Sequence, residues 1–101
     1  MKLIAETKDQ PVRLIVCGDF IGELSMDIAV WLDHHGWQSG IGTLLGDESL
    51  IAAALEEVDV EVSYAGQRFD IIIDHVLAAQ RARFALLGEV PESLLGAWRA
   101  V

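Results

Sequence analysis

The alternation of apolar and polar residues is clearest between Val58 and Asp74, on both sides of Ala65-Gly66. Apolar side chains occupy every second position before and after this pair, which is the spacing of a half-buried strand. With Ala65-Gly66 as a two-residue turn, the segment predicts an antiparallel hairpin with both apolar sets on one face. The opposed pairs are Tyr64 with Gln67, Val62 with Phe69, Val60 with Ile71, and Val58 with Ile73.

On the other face of this hairpin, the same register sets Glu61 directly opposite Asp70. Like charges opposed on neighbouring strands destabilise a sheet by up to ~1 kcal/mol. Two interpretations follow. Solvent and the nearby cation Arg68 can compensate the repulsion, or the two carboxylates are held ready for a basic partner.

A second hairpin is predicted at the N-terminus. Residues Lys2 to Thr7 and Val12 to Gly18 have strand character, and the turn-rich residues Lys8 to Pro11 join them. This pairing would set Glu6 opposite Arg13 as an ion pair across the two strands.

From Glu23 the apolar spacing lengthens to that of an amphipathic helix, which Gly36 would end. Its apolar stripe comprises Leu24, Ile28, Trp31, Leu32 and His35. The residues from Gln38 to Gly46 form a glycine-punctuated connection. Asp47 then caps a second helix, whose apolar positions are Leu50, Ile51, Ala54, Leu55 and Val58.

A third helix is predicted from His75 to Leu87, between Asp74 as its N-cap and Gly88 as its stop. Its alanines would let another backbone approach the helix closely, and that backbone belongs either to the sheet or to a second subunit. Pro91 opens a last short helix, whose inward positions are Leu94, Leu95 and Trp98. The prediction is a single α+β domain over residues 1–101, with two antiparallel hairpins in one four-stranded sheet and about four helices, in the order ββααββαα.

The composition adds a prediction of self-association. The chain has 101 residues, of which 52% are hydrophobic, and its mean hydropathy is +0.38. A small domain cannot bury so much apolar surface alone, so we expect a homodimer. No apolar run approaches the ~20 residues that span a bilayer, and the N-terminus turns polar early, which favours a cytoplasmic protein with no membrane contact. Cys17 lies in an apolar run and is expected to be buried and inert.

Charge is distributed unevenly. Between Arg13 and Arg68 there is no Lys or Arg, yet ten carboxylates fall there. These 54 residues therefore carry a charge of −10 and the rest of the chain carries +1, which gives the net charge of −9. Such a segment would be repelled by nucleic acid or an anionic membrane and suits a basic protein surface. The alternative is that the acidity serves only solubility.

A regular row of carboxylates would form if the first predicted helix extends back to Asp19. Asp19, Glu23 and Asp27 are four residues apart and would then rise ~6 Å per step along one helix face, which imitates a row of phosphates. The alternative is a solvated helix face. The expected partner-binding face comprises Asp19, Glu23, Asp27, Asp59, Glu61 and Asp70.

The tripeptide Asp33-His34-His35 resembles the motif that gives the DHH phosphoesterases their name, where it acts in a metal site. The resemblance implies a metal-dependent phosphoesterase. Apart from the resemblance, His75 follows Asp74 and could complete a His-carboxylate metal site with His34 or His35. No Asp-x-Asp motif precedes the tripeptide here, whereas that family has one. Histidines near a helix C-terminus are also favoured by the dipole alone.

The functional prediction is therefore a small acidic binding protein without enzymatic activity, metal or cofactor. It would inhibit a partner by occupying its basic, nucleic-acid-handling surface. In size and charge it is similar to bacterial immunity, anti-restriction and anti-CRISPR proteins. The alternative is a homodimeric structural or regulatory module, and the metal-dependent phosphoesterase is a more distant one.

Overall fold

The computed structural model describes residues 1–88, 90 and 99–100, which form seven strands and one helix. In chain order these are β1 (Lys2–Val16), β2 (Asp19–Leu32), β3 (Gln38–Leu45), α1 (Glu48–Leu55), β4 (Val60–Tyr64), β5 (Gln67–Ala78), β6 (Arg81–Leu86) and β7 (Arg99–Ala100). No helix among these residues has both the length and the apolar character needed to cross a membrane.

Six of the strands close into an antiparallel barrel. Their order around it is β1-β2-β3-β6-β5-β4, and β4 pairs back onto β1. The first three strands form one meander, the next three form another, and α1 connects the two. The short β7 adds to β1 at Ala5 and Glu6. The predicted α+β fold, with four helices in the order ββααββαα, is therefore wrong.

The barrel interior holds the alternate residues of its strands, as the period of two requires. The largest fully buried side chains are Phe84, Leu14, Met26, Ile28, Leu44, Ile51, Ile71, Val12, Val30 and Val62. Among the residues that the structure describes, no polar or charged residue is buried. The outer surface of the barrel therefore carries all the described candidate chemistry.

The hairpin predicted around Ala65-Gly66 is confirmed from Glu61 to Asp70. Both turn residues have positive φ, 50° and 81°, and the register opposes Tyr64 to Gln67, Val62 to Phe69 and Glu61 to Asp70. Positive φ at both central positions is the geometry of the tight turn that joins twisted strands. The outermost predicted pair, Val58 with Ile73, is wrong: Val58 precedes β4 and is 97% exposed, and Ile73 pairs with Phe84.

The predicted N-terminal hairpin is wrong, because residues 2–16 form one continuous strand. At the position of the predicted turn, Asp9 has a φ of 53°, and the register of the pairing with β2 shifts between Thr7 and Gln10. The Asp9 backbone N–H donates to Asp27 Oδ1 at 2.8 Å, so the bulged amide is satisfied. Glu6 consequently pairs with Ala29 rather than with Arg13.

The predicted helix from Glu23 to Gly36 is wrong, because this segment is mostly strand β2. Leu24 and Ile28 lie four residues apart, a spacing that suits one face of a helix and also one face of a strand. Met26 and Val30 complete the inward face of β2, and both are fully buried. Pairing with β1 on one side and β3 on the other fixes this outcome.

The predicted helix from His75 to Leu87 is also wrong. This segment contains the end of β5, a turn at Ala79-Gln80 and β6, and Phe84 is fully buried in the barrel. The helix predicted from Pro91, with Leu94, Leu95 and Trp98, lies outside the described residues.

The helix predicted after Asp47 is confirmed as α1. Asp47 Oδ1 accepts hydrogen bonds from the Ser49 backbone N–H at 2.8 Å and from its hydroxyl at 2.7 Å. Both hydrogen bonds lower the pKa of Asp47, and the bond from the hydroxyl has the larger effect. Ile51 and Ala54 are buried, so one face of α1 packs on the barrel.

Candidate functional site

Four of the six carboxylates predicted to bind a partner lie near one another on the barrel. Val16, at the end of β1, pairs with Asp19 of β2 on one side and with Val60 of β4 on the other. Asp59 and Glu61 flank Val60, so β1 brings together residues about forty positions apart in the sequence. Closure of the barrel, rather than sequence proximity, creates this acidic surface.

Three of these carboxylates are in close contact. Side-chain oxygens of Asp59, Glu61 and Asp70 all lie within 4.8 Å of one another. Asp59 and Asp70 are exposed and Glu61 is half-buried. Glu61 stands directly opposite Asp70, as the hairpin register predicts.

A fifth carboxylate, Glu57, joins the cluster through Cys17. The Cys17 thiol donates to Glu57 Oε2 at 3.4 Å, and the Cys17 backbone N–H donates to the Asp59 carbonyl oxygen at 2.9 Å. The hydrogen bond to Glu57 raises the pKa of the thiol, and desolvation and the charges of Glu57, Asp59 and Asp19 raise it further. The acidic patch, as we name this surface, comprises Asp19, Glu57, Asp59, Glu61 and Asp70.

The exposure of the Cys17 side chain differs from the prediction. We expected a buried thiol, but Cys17 is exposed and lies in the turn between β1 and β2 with a φ of 52°. The apolar run before it belongs to β1, which ends at Val16. Its raised pKa leaves the thiol poorly nucleophilic despite its exposure.

Arg68 compensates part of the repulsion within the patch. Its Nη2 donates to Glu61 Oε1 at 3.0 Å, and the two side chains are 51% and 21% exposed. The interpretation that Arg68 offsets the opposed carboxylates is thus confirmed for Glu61. In the described part of the chain, no other basic side chain forms an ion pair with the patch.

Glu23 and Asp27 do not extend the patch as a helical row. They lie on strand β2, where four residues span ~13 Å rather than ~6 Å. Glu23 is opposite Arg13, and Asp27 accepts the hydrogen bond from Asp9. The predicted ladder of Asp19, Glu23 and Asp27 is therefore wrong in its spacing.

Asp33-His34-His35 forms the turn between β2 and β3 rather than a helix end. Asp33 Oδ1 accepts hydrogen bonds from the backbone N–H of His35 at 2.8 Å and of Trp37 at 3.0 Å, so the aspartate shapes the turn. The two exposed imidazole rings lie 4.0 Å apart. Among the described residues, the one group of three potential metal ligands contains only carboxylates, and His75 lies on β5.

The acidic patch has two chemical capacities. Carboxylate oxygens at this separation can accept hydrogen bonds from guanidinium and ammonium groups, which is the chemistry of a basic protein surface. They also have the oxygen chemistry that hard divalent cations prefer. Arg68 already binds Glu61, so a cation there would compete with a guanidinium.

Glu57 was not among the residues predicted to form the partner-binding face. It follows the C-terminus of α1, where the helix dipole disfavours a negative charge. Glu56 and Glu57 together at that end, directly before the hairpin, are the signal that could have added it to the predicted face.

Comparison with known proteins found no matching protein family, no similar curated sequence and no similar solved structure.

Proposed function

We propose that this protein is a small acidic binding protein, without enzymatic activity, that inhibits a partner by occupying its basic, nucleic-acid-handling surface. The observation that carries the proposal is the acidic patch. Five carboxylates from three separate parts of the chain converge there, and one described arginine pairs with them.

The arrangement has an energetic cost that a solubility role does not require. Like charges directly opposed across strands destabilise a hairpin, and dispersed carboxylates would keep the protein equally soluble. A basic partner would remove this repulsion when it binds. The removal of the repulsion would then contribute to the free energy of binding.

The charge density of the patch favours a particular target, namely a protein surface that normally binds nucleic acid. Three carboxylates whose oxygens lie within 4.8 Å of one another approach the density of a nucleic-acid strand, which carries one charge per ~3.4 Å of helix axis. Arginine and lysine side chains placed to bind phosphates can bind such carboxylates with the same donors. The patch would at the same time repel nucleic acid itself.

The test compares two charge-reversed variants of equal net charge in a pull-down of basic proteins from a cell lysate at low and high salt. Asp59→Lys with Asp70→Lys reverses the patch. Glu23→Lys with Glu48→Lys changes the same total charge outside it. We expect the wild type and the control variant to retain a nucleic-acid-handling protein that high salt releases, and the patch variant to lose it.

Inhibition is then measured on the captured protein by titrating its nucleic-acid binding with each variant. Loss of capture by both variants alike would show that only total charge matters and would contradict the proposal. Capture that ignores salt would contradict it as well.

A further inference from the structure

An apolar groove lies beside the acidic patch, between strand β5 and the end of α1. It has a volume of about 210 Å³, and Leu55, Val58, Ile72 and Leu87 contribute to its walls. These four side chains are 45%, 97%, 51% and 49% exposed. Large apolar side chains that stay exposed around one concave surface mark an interaction site. The groove is therefore a surface on which a partner could dock.

The topology of β5 explains why the groove exists. β5 pairs with β4 only as far as Asp70, and from Ile71 onward it pairs with β6. On the side where β4 would have to continue, the chain arrives from α1 through residues 56–59 instead. In the described part of the chain, no strand occupies the position beside Ile71 to Ile73. The apolar side chains on both sides of this gap therefore remain open to a ligand.

The acidic patch borders this groove. Glu57 lines the groove itself, and it is the one charged residue among the described residues that do so. Asp59 directly follows Val58, and Asp70 directly precedes Ile71, so two more patch carboxylates adjoin the groove walls. An apolar centre bordered by charged groups is the usual anatomy of a protein interface. Here the charge of the border is negative, which selects a basic partner.

We propose that the groove holds a large apolar side chain of the basic partner, and that arginine or lysine residues beside it bind the acidic patch. The inference rests on the proposed function and adds the kind of segment that the partner presents. An apolar cavity of about 150 Å³ is large enough for benzene, so the groove has room for one phenylalanine or leucine side chain. Consecutive residues are ~3.8 Å apart, so a basic neighbour of that side chain reaches Asp59 or Asp70.

The two parts of the surface have different roles. Ion pairs at an exposed surface contribute little to affinity but attract and orient a charged partner. Burial of one aromatic or aliphatic side chain contributes more, and such anchors dominate many interfaces. Surfaces that bind single-stranded nucleic acid place aromatic side chains among basic ones, because bases stack on the rings. The groove would therefore distinguish such a surface from other basic surfaces.

A second copy of this chain fits the groove poorly. Each chain carries a net charge of −9. Contact between two grooves would bring two acidic patches together, and their repulsion would be strongest at low salt. We therefore expect the groove to stay free until a basic protein binds.

The first experiment titrates the full, ¹⁵N-labelled chain with two peptides and follows its amide signals by NMR. One peptide is Arg-Arg-Phe-Arg-Arg, and the other has alanine in place of phenylalanine, so they differ only in the apolar side chain. We expect salt to weaken the binding of both peptides, and the phenylalanine peptide to bind ~tenfold more tightly. Equal affinity for the two peptides, or binding of neither, would overturn the inference.

Two variants test the groove without a change of charge. Ile72→Gln and Val58→Gln each replace an apolar wall, so each should reduce the preference for phenylalanine to less than ~threefold. Val58 is 97% exposed, so Val58→Gln keeps the test valid even if Ile72→Gln unfolds the barrel. Ile41→Gln is the matched control, because Ile41 is 40% exposed on β3, outside the groove. An unchanged preference in both groove variants would contradict the inference.

Asp59→Lys with Asp70→Lys separates the inference from the proposed function. This variant should bind both peptides weakly, because it removes the attraction to arginine. Equal binding of both peptides by the wild type, lost in this variant, would overturn the inference and leave the proposed function standing. A preference for phenylalanine without capture of a nucleic-acid-handling protein would contradict the proposed function alone.

Sedimentation equilibrium of the full chain tests the second copy as the occupant. We expect one chain per particle at micromolar concentration. A dimer that Ile72→Gln dissociates and Ile41→Gln does not would assign the groove to self-association and overturn the inference.

Discussion

Gly42 of β3 lies directly opposite Phe84 of β6, at the junction between the two meanders of the barrel. Phe84 is fully buried, and a Cβ at position 42 would lie 2.8 Å from Phe84 Cζ and would also collide with the Asp27 carbonyl oxygen. Glycine is therefore the residue that lets β3 approach β6 while the ring fills the interior. The glycine-punctuated connection of the sequence is a strand in which two of the three inward positions, Gly40 and Gly42, are glycines for packing reasons, and Leu44 is the third.

Gly42→Ala should destabilise the protein by about 1–3 kcal/mol, because the added methyl group must displace the Phe84 ring and the β2 backbone. Urea unfolding followed by circular dichroism measures the loss. Ser39→Ala on the same strand is the control, since Ser39 is exposed and should change stability by less than ~0.5 kcal/mol. A Gly42→Ala protein as stable as the control would show that the junction can relax.

Arg68→Ala should cost up to about 1 kcal/mol of stability at low salt, because Glu61 then faces Asp70 without its cation. Adding Asp70→Asn in the same background should recover part of the loss, since it removes the opposed charge. Arg81→Ala serves as the control, because this exposed arginine forms no ion pair among the described residues. Unfolding in low salt and in about 1 M NaCl checks the origin of the effect, which should shrink with screening. An equal loss at both salt concentrations would point to packing by the Arg68 stem instead.

Cys17 should react with a disulfide reagent such as DTNB more slowly than an ordinary exposed cysteine does. The reason is that its pKa is raised, so little thiolate forms near neutral pH. Glu57→Ala removes the hydrogen bond and the nearest charge, so the pKa should fall and the rate should rise several-fold. Rates measured from pH 7 to pH 10 should show the curve of the variant displaced toward lower pH.

Glu56→Ala is the matched control for the cysteine experiment. It removes the same charge one residue away without touching the hydrogen bond from Cys17 to Glu57. Similar acceleration by both variants would mean that the general negative potential, and not the contact with Glu57, controls the thiol.

The acidic patch was partly predictable. Asp59, Glu61 and Asp70 come from a hairpin whose register follows from its own turn, so their proximity could be inferred from sequence. Asp19 and Glu57 join them only because β1 pairs with both β2 and β4.

Features that depend only on neighbouring residues could be predicted from the sequence. The turn at Ala65-Gly66 sets the central register, and the side chain of Asp47 satisfies the first turn of α1, both over a few residues. For residues 23–35 and 75–87, the choice between helix and strand depended on contacts with distant strands. Leu24 and Ile28 fit either period, and alanine favours a helix locally, so local preference was ambiguous or pointed to a helix. Two contributions outweighed that preference: hydrogen bonds to distant strands, and burial of Met26, Val30 and Phe84 in a shared interior. Neither contribution can be read from the residues that are neighbours in sequence.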